Sequence, residues 1–75
     1  MNSYLNRGGD SGITGYETSP GQIIVQFSDG SAYLYNSQKP GAAHVAEMQR
    51  LAAAGEGLNS YISRIVRKNY AAKLR

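Results

Sequence analysis

Residues 22–36 read QIIVQFSDGSAYLYN. Two runs rich in β-branched and aromatic residues flank the turn residues Ser28, Asp29 and Gly30, so the stretch predicts a β-hairpin. Its register decides which side chains share a face. A two-residue Asp-Gly turn sets Val25 opposite Leu34. A three-residue turn, with Gly30 left-handed at a bulge, sets Val25 opposite Tyr33 and Ile23 opposite Tyr35. We adopt the second, because it gathers Ile23, Val25, Phe27, Tyr33 and Tyr35 on one face. The other face then carries Ile24, Gln26, Ala32 and Leu34. An Ile24–Leu34 pair is poorly suited to water, which marks these two residues as an expected subunit interface.

Upstream, residues 13–17 (ITGYE) form a short candidate strand, and Thr18, Ser19, Pro20 and Gly21 a turn. Downstream, Lys39-Pro40 is expected to open a first helix, since proline suits the first helical turn. Val45, Met48 and Leu51 recur there at helical spacing, and Gly55-Glu56-Gly57 ends it. Leu58, Tyr61, Ile62, Ile65 and Val66 then trace an apolar stripe on a second helix, with Arg64 and Lys68 one turn apart on its outer side. The expected fold is α+β: a three-stranded antiparallel sheet followed by two helices packed on one face, in the order β-β-β-α-α. Residues 1–12 form an N-terminal arm expected to dock through Tyr4 and Leu5, residues 13–70 the domain, and residues 71–75 a basic C-terminal tail.

Charge divides unevenly along the chain. Residues 61–75 carry five cations and no acid (+5); residues 1–60 carry three cations against five acids (−2); the sum is the net +3. Such a cationic end favours contact with an anion, most often phosphate. With 75 residues and no cysteine the core is thin, and self-association is the expected staple, hence a homo-oligomer. One histidine and no cysteine exclude a Cys/His zinc site, and no metal or other cofactor is expected. No apolar run suits a bilayer span, so no membrane partner is expected. The first residues lack the apolar core of a signal peptide, and a cytoplasmic protein is the expectation.

The order of segments resembles a known family. Phe27-x-x-Gly30 leads to Tyr33-x-Tyr35, then to the Lys39-Pro40 helix start, to Gly57-Leu-Asn-x-Tyr-Ile62, and to a basic stretch with Tyr70. This resembles the KTSC domain, a small domain named for the C-terminus of some lysyl-tRNA synthetases and also found alone in bacterial and phage proteins. The resemblance runs from about Ser11 to Tyr70. It implies a small α+β domain with an association to RNA. The chain departs from the pattern at Leu34, where a polar residue would suit an exposed face.

Several constellations carry chemistry. Arg64, Arg67 and Lys68, extended by Lys73 and Arg75, suit phosphate, because guanidinium forks grip phosphate oxygens and lysine adds a point charge. The bland alternative is a solvated face whose cations suit the negative end of the helix dipole. Tyr33 and Tyr35, if exposed, would stack on bases; the adopted register favours a core role for both. Tyr61 is a further candidate for stacking or hydrogen bonding to a base. His44 reads as a surface helix histidine, with a phosphate contact as the sharper alternative, and the amides near Leu58 and Asn59 suit an anion at a helix start. The run Gly8-Gly9-Asp10-Ser11-Gly12 matches a phosphate-binding loop in composition only, lacking the Gly-Lys-Ser/Thr ending. No carboxylate pair suits acid–base work, so no enzyme is expected. The leading expectation is a non-catalytic module that binds an anionic nucleotide or RNA. One alternative is a homo-oligomeric sponge of phage type that sequesters a small cyclic or signalling nucleotide and so blocks host immune signalling. The other is a protein–protein interaction module that docks through Ile24 and Leu34.

Overall fold

The computed structural model describes residues 2–5 and 12–75. Residues 8–11 of the glycine-rich run, and residues 6–11 of the N-terminal arm, lie outside the described residues. The elements are β1 (Asn2–Ser3), β2 (Ile13–Ser19), β3 (Gln22–Phe27), β4 (Ala32–Asn36), α1 (Ala42–Ala54), α2 (Leu58–Tyr61) and β5 (Ala72–Lys73). The α+β class is as expected, but the sheet is five-stranded, antiparallel, in the order β1-β2-β3-β4-β5. This corrects the three-stranded expectation. Both additional strands are two residues long and pair at the sheet's two sides, β1 on Tyr16 and Gly15, β5 on Tyr33 and Leu34. The basic C-terminal segment is thus partly an edge strand, with Lys73 opposite Tyr33.

The β3–β4 hairpin has the three-residue register. Val25 faces Tyr33 and Ile23 faces Tyr35. Phe27 and Ser31 close the turn through the Phe27 N–H to Ser31 carbonyl bond (2.8 Å), and Gly30 takes φ +91°, a conformation that costs glycine little. In β2 the register shifts between Ile13 and Gly15. The extra residue lets both Ile13, opposite Phe27, and Tyr16, opposite Val25, share the inner face.

One correction concerns Pro40. It bridges back to Asn36 outside the helix, after a cis peptide bond, and α1 begins only after Gly41. Asn36 explains why: its side-chain oxygen accepts the amides of Gln38 (3.0 Å) and Lys39 (3.1 Å), and its carbonyl accepts the Gly41 amide (3.1 Å). The chain is curled back on β4 before a helix can start. Gly55 ends α1 in the left-handed region, its amide shared by the Leu51 and Ala52 carbonyls, as the sequence predicts.

The second helix departs from the expected period. After Tyr61 the chain continues as a π-helical turn over Ile62–Val66. A π turn holds more residues than an α turn, so the apolar stripe slips. Leu58, Ile62 and Val66 stay buried, whereas Ile65 rotates outward and is 54% exposed. Helical order ends at Val66, so Lys68 is no longer one helical turn above Arg64.

The core lies between the inner sheet face and the helices. Ile23, Val25 and Tyr35 from the sheet meet Val45, Met48 and Ala52 of α1 and Leu58 of α2. Gln49 pins α1 to the β2–β3 turn by donating to the carbonyls of Ser19 (3.0 Å) and Gln22 (2.8 Å). Tyr4 enters this core as the sequence predicts: it is buried, and its hydroxyl accepts the Leu58 amide at 3.2 Å. That bond satisfies one of the orphan amides at the start of α2. Leu5 stays largely exposed beside Gly55.

Candidate functional site

The inner face of the hairpin is longer than the helices that cover it. Beyond the edge of the core, Phe27 and Tyr33 remain half-buried. Their rings meet edge to face with centroids 5.6 Å apart. Tyr70 joins them from the segment after α2, 4.6 Å from the Tyr33 ring and 6.3 Å from that of Tyr35. These aromatics wall a groove of about 390 Å³. Its rim is cationic: Arg67 and Lys68 come from the turn after the second helix, and Lys73 from β5.

Two local features place these cations. Arg67 has φ +49° and ψ −121°, and among the described residues it is the one non-glycine with positive φ. Such backbone strain collects at functional sites, as π turns do. The chain then doubles back: the Asn69 amide bonds the Val66 carbonyl (2.8 Å), the Tyr70 amide the Lys68 carbonyl (2.9 Å), and the Ala71 amide the Leu34 carbonyl (2.7 Å). Lys73, paired opposite Tyr33, holds its ammonium 5.9 Å from that ring's centroid, within cation–π reach.

Tyr35 forms the floor and is buried, so it packs as core and does not stack on a ligand. Burial first, and then the neighbouring hydroxyls of Tyr33 and Tyr70, push its pKa up to about 12. Tyr33 combines the two roles weighed for it, with one part of the ring in the core and one part on the groove.

The remaining sequence candidates lie elsewhere. Arg64 and Arg75 are exposed and do not line the groove. Tyr61 and His44 bond to each other, the hydroxyl 2.7 Å from Nδ1, and so tie α2 to α1. Asn59 offers its backbone carbonyl to the Ser63 hydroxyl (2.9 Å). Ile24 and Leu34 pair across the hairpin on the face that carries no helix, half-buried, with Ala72 beside Leu34. Arg50, a cation outside the C-terminal stretch, is bound to Glu47. Phe27 and Tyr70 are the site residues missing from the sequence candidates. Phe27 was within reach, because strand alternation puts it on the face of Tyr33.

No family model, no curated protein and no solved structure matches this chain. Among the described residues no helix is long and apolar enough to cross a membrane, and no group of three metal-ligating side chains gathers.

Proposed function

We propose that this chain is a small non-catalytic binding module for a phosphate-bearing ligand with an aromatic base, a nucleotide or a segment of single-stranded RNA. The observation that carries the reading is the convergence of Arg67 and Lys68 with Lys73 on one aromatic-walled groove. Arg67 and Lys68 follow a helix C-terminus, where cations are common for reasons of the helix dipole alone. Lys73 comes from a sheet edge, and the dipole does not account for it. Aromatic rings beside cations are what a base and its phosphate require. The groove's volume falls within the ~300–1,000 Å³ typical of small-ligand sites.

The experiment is to denature the protein as purified from cells, remove the polypeptide, and record the ultraviolet and mass spectra of what is released. The chain has no tryptophan, so bound nucleotide stands out against weak protein absorbance. Nucleotide or oligonucleotide recovered from wild type, and lost from a Lys68→Ala, Lys73→Ala variant, supports the reading. A protein that releases nothing and binds neither mononucleotides nor oligonucleotides in titration removes it.

A second reading is capture of a small nucleotide by a homo-oligomer. It draws on the Ile24–Leu34 pair, an apolar patch on the sheet face without helices. Saturation at a fixed ligand-to-chain ratio, with no gain from longer oligonucleotides, distinguishes capture from strand binding.

A further inference from the structure

The groove does not end at Tyr33. On the other side of the Phe27–Tyr33 pair lies a second cavity of about 350 Å³, walled by the same two rings and by Gly12, Ser28, Asp29 and Ser31. The two cavities differ in charge. Among the described residues, Arg67, Lys68 and Lys73 line the first, and the Asp29 carboxylate is the charged group of the second.

That carboxylate is held in place. The Ser31 amide (2.9 Å) and the Ser31 hydroxyl (2.6 Å) both donate to Asp29 Oδ1. These bonds keep Asp29 below the usual carboxylate range, so it is ionised at neutral pH and can only accept. Both Ser31 donors use Oδ1, and the Asp29 backbone amide adds a further bond to the carboxylate, so of its roughly four lone-pair sites about one is left for a ligand. The β2 start is tied to the same turn, with the Ser28 amide donating to the Gly12 carbonyl at 2.7 Å, so the cavity wall does not depend on Asp29 alone.

An ionised acceptor repels phosphate and attracts an O–H or N–H donor. A strand whose phosphate lies at Arg67, Lys68 and Lys73, and whose base covers the Phe27–Tyr33 ridge, brings the next sugar toward the second cavity. The donor that RNA offers there, and DNA lacks, is the ribose 2′-hydroxyl. A guanine edge presents two parallel donors and needs both carboxylate oxygens; Oδ1 already takes two bonds, so a single hydroxyl fits better.

We infer that Asp29 is a specificity residue: it accepts the 2′-hydroxyl of a nucleotide in the second cavity and makes the module select single-stranded RNA over DNA. This inference rests on the proposed nucleotide-binding function and names its substrate class. The site spans two nucleotides, with a cationic half for phosphate and an anionic half for ribose.

The test titrates wild type and Asp29→Asn with the fluorescent decamers rA10, dA10 and rU10 at one fixed salt concentration. Asparagine retains an acceptor for Ser31 but places an amide donor where Oδ2 stood. The expected result is rA10 bound about tenfold more tightly than dA10 by wild type, as a charge-assisted hydrogen bond implies. The ratio falls to within about twofold in Asp29→Asn, with rU10 following rA10. Circular dichroism confirms that the variant folds, and the wild-type ratio is informative without any variant. Equal binding of rA10 and dA10 by wild type, or a preference that survives in Asp29→Asn, overturns the inference and leaves the nucleotide-binding function standing. So does rA10 binding far more tightly than rU10 with no effect of the sugar, which would make Asp29 a base reader. Binding of none of the decamers overturns the inference, and the function it rests on falls with it only if mononucleotides also fail to bind.

Discussion

Tyr33 and Tyr70 hold their ring centroids 4.6 Å apart, inclined at 45°. The contact fastens the segment after the second helix to β4, and that segment carries Arg67 and Lys68. Tyr70→Ala is therefore expected to release both cations from the groove and expose the Tyr33 ring. Nucleotide affinity should fall about 5- to 100-fold, the range of a lost stacking partner. Tyr70→Phe keeps the ring and should stay within about twofold. Paired titrations of the two variants check this; equal losses would mean that the hydroxyl, not the ring contact, matters.

Three cations on one groove set an upper bound on salt dependence. For a single strand, log affinity against log salt falls with a slope of about −0.7 per phosphate neutralised, so about −2 for Arg67, Lys68 and Lys73 together. Lys73→Ala should reduce the slope by about 0.7. Arg64→Ala should leave it unchanged, because Arg64 does not line the groove. Titrations from low to moderate salt check both slopes.

Ile65 distinguishes the π turn from a regular helix. In an α-helical stripe it would be buried with Ile62 and Val66; here it is exposed. Ile65→Ser should change stability by less than about 0.5 kcal/mol. Ile62→Ala should cost about 2–4 kcal/mol as a buried large-to-small change. Urea unfolding of the two variants checks the contrast, and a costly Ile65→Ser would restore the regular helix.

These cases show where sequence reasoning reaches. The hairpin register follows from local chemistry, because Asp29-Gly30 before an alternating run leaves few ways to turn. Tyr4 is visible as one of two large apolar side chains in a polar arm. β1 and β5 are not visible: two residues show no alternation, and Asn2–Ser3 and Ala72–Lys73 become strands only because a neighbour offers open backbone groups. The π turn is equally hidden, since Ile65 fits the α period and only packing moves it. Pro40 misleads because Asn36, four residues earlier, binds the amides of Gln38, Lys39 and Gly41 and so holds the segment in a turn against β4. Of the site, the cations Arg67, Lys68 and Lys73 and the ring of Tyr33 were readable. Their grouping without Arg64, Tyr61 and His44 required the return of the chain after Val66.

The Tyr4 hydroxyl is a second long-range tie. It accepts the Leu58 amide from inside the core. Tyr4→Phe keeps the ring and leaves that buried amide unpaired, at an expected cost of about 1–3 kcal/mol. Tyr4→Ala also opens a cavity and should cost about 3–5 kcal/mol. Denaturant midpoints check the order, and a Tyr4→Ala variant as stable as wild type would detach the N-terminal segment from the core.

Tyr35 sets an alkaline limit on the fold. Its ordinary phenol pKa near 10 is raised to about 12 by burial and by the hydroxyls of Tyr33 and Tyr70. Between these values the unfolded chain has lost the Tyr35 proton while the folded chain keeps it, so ν_U is less than ν_N and stability falls as pH rises. The contribution is complete below pH 10 and is lost on the way to pH 12. A tyrosinate titration followed near 295 nm should show a late step near pH 12 from Tyr35, together with loss of structure. Tyr35→Phe should remove that late step and flatten the alkaline decline. A variant that still shows both would assign the late proton to another tyrosine.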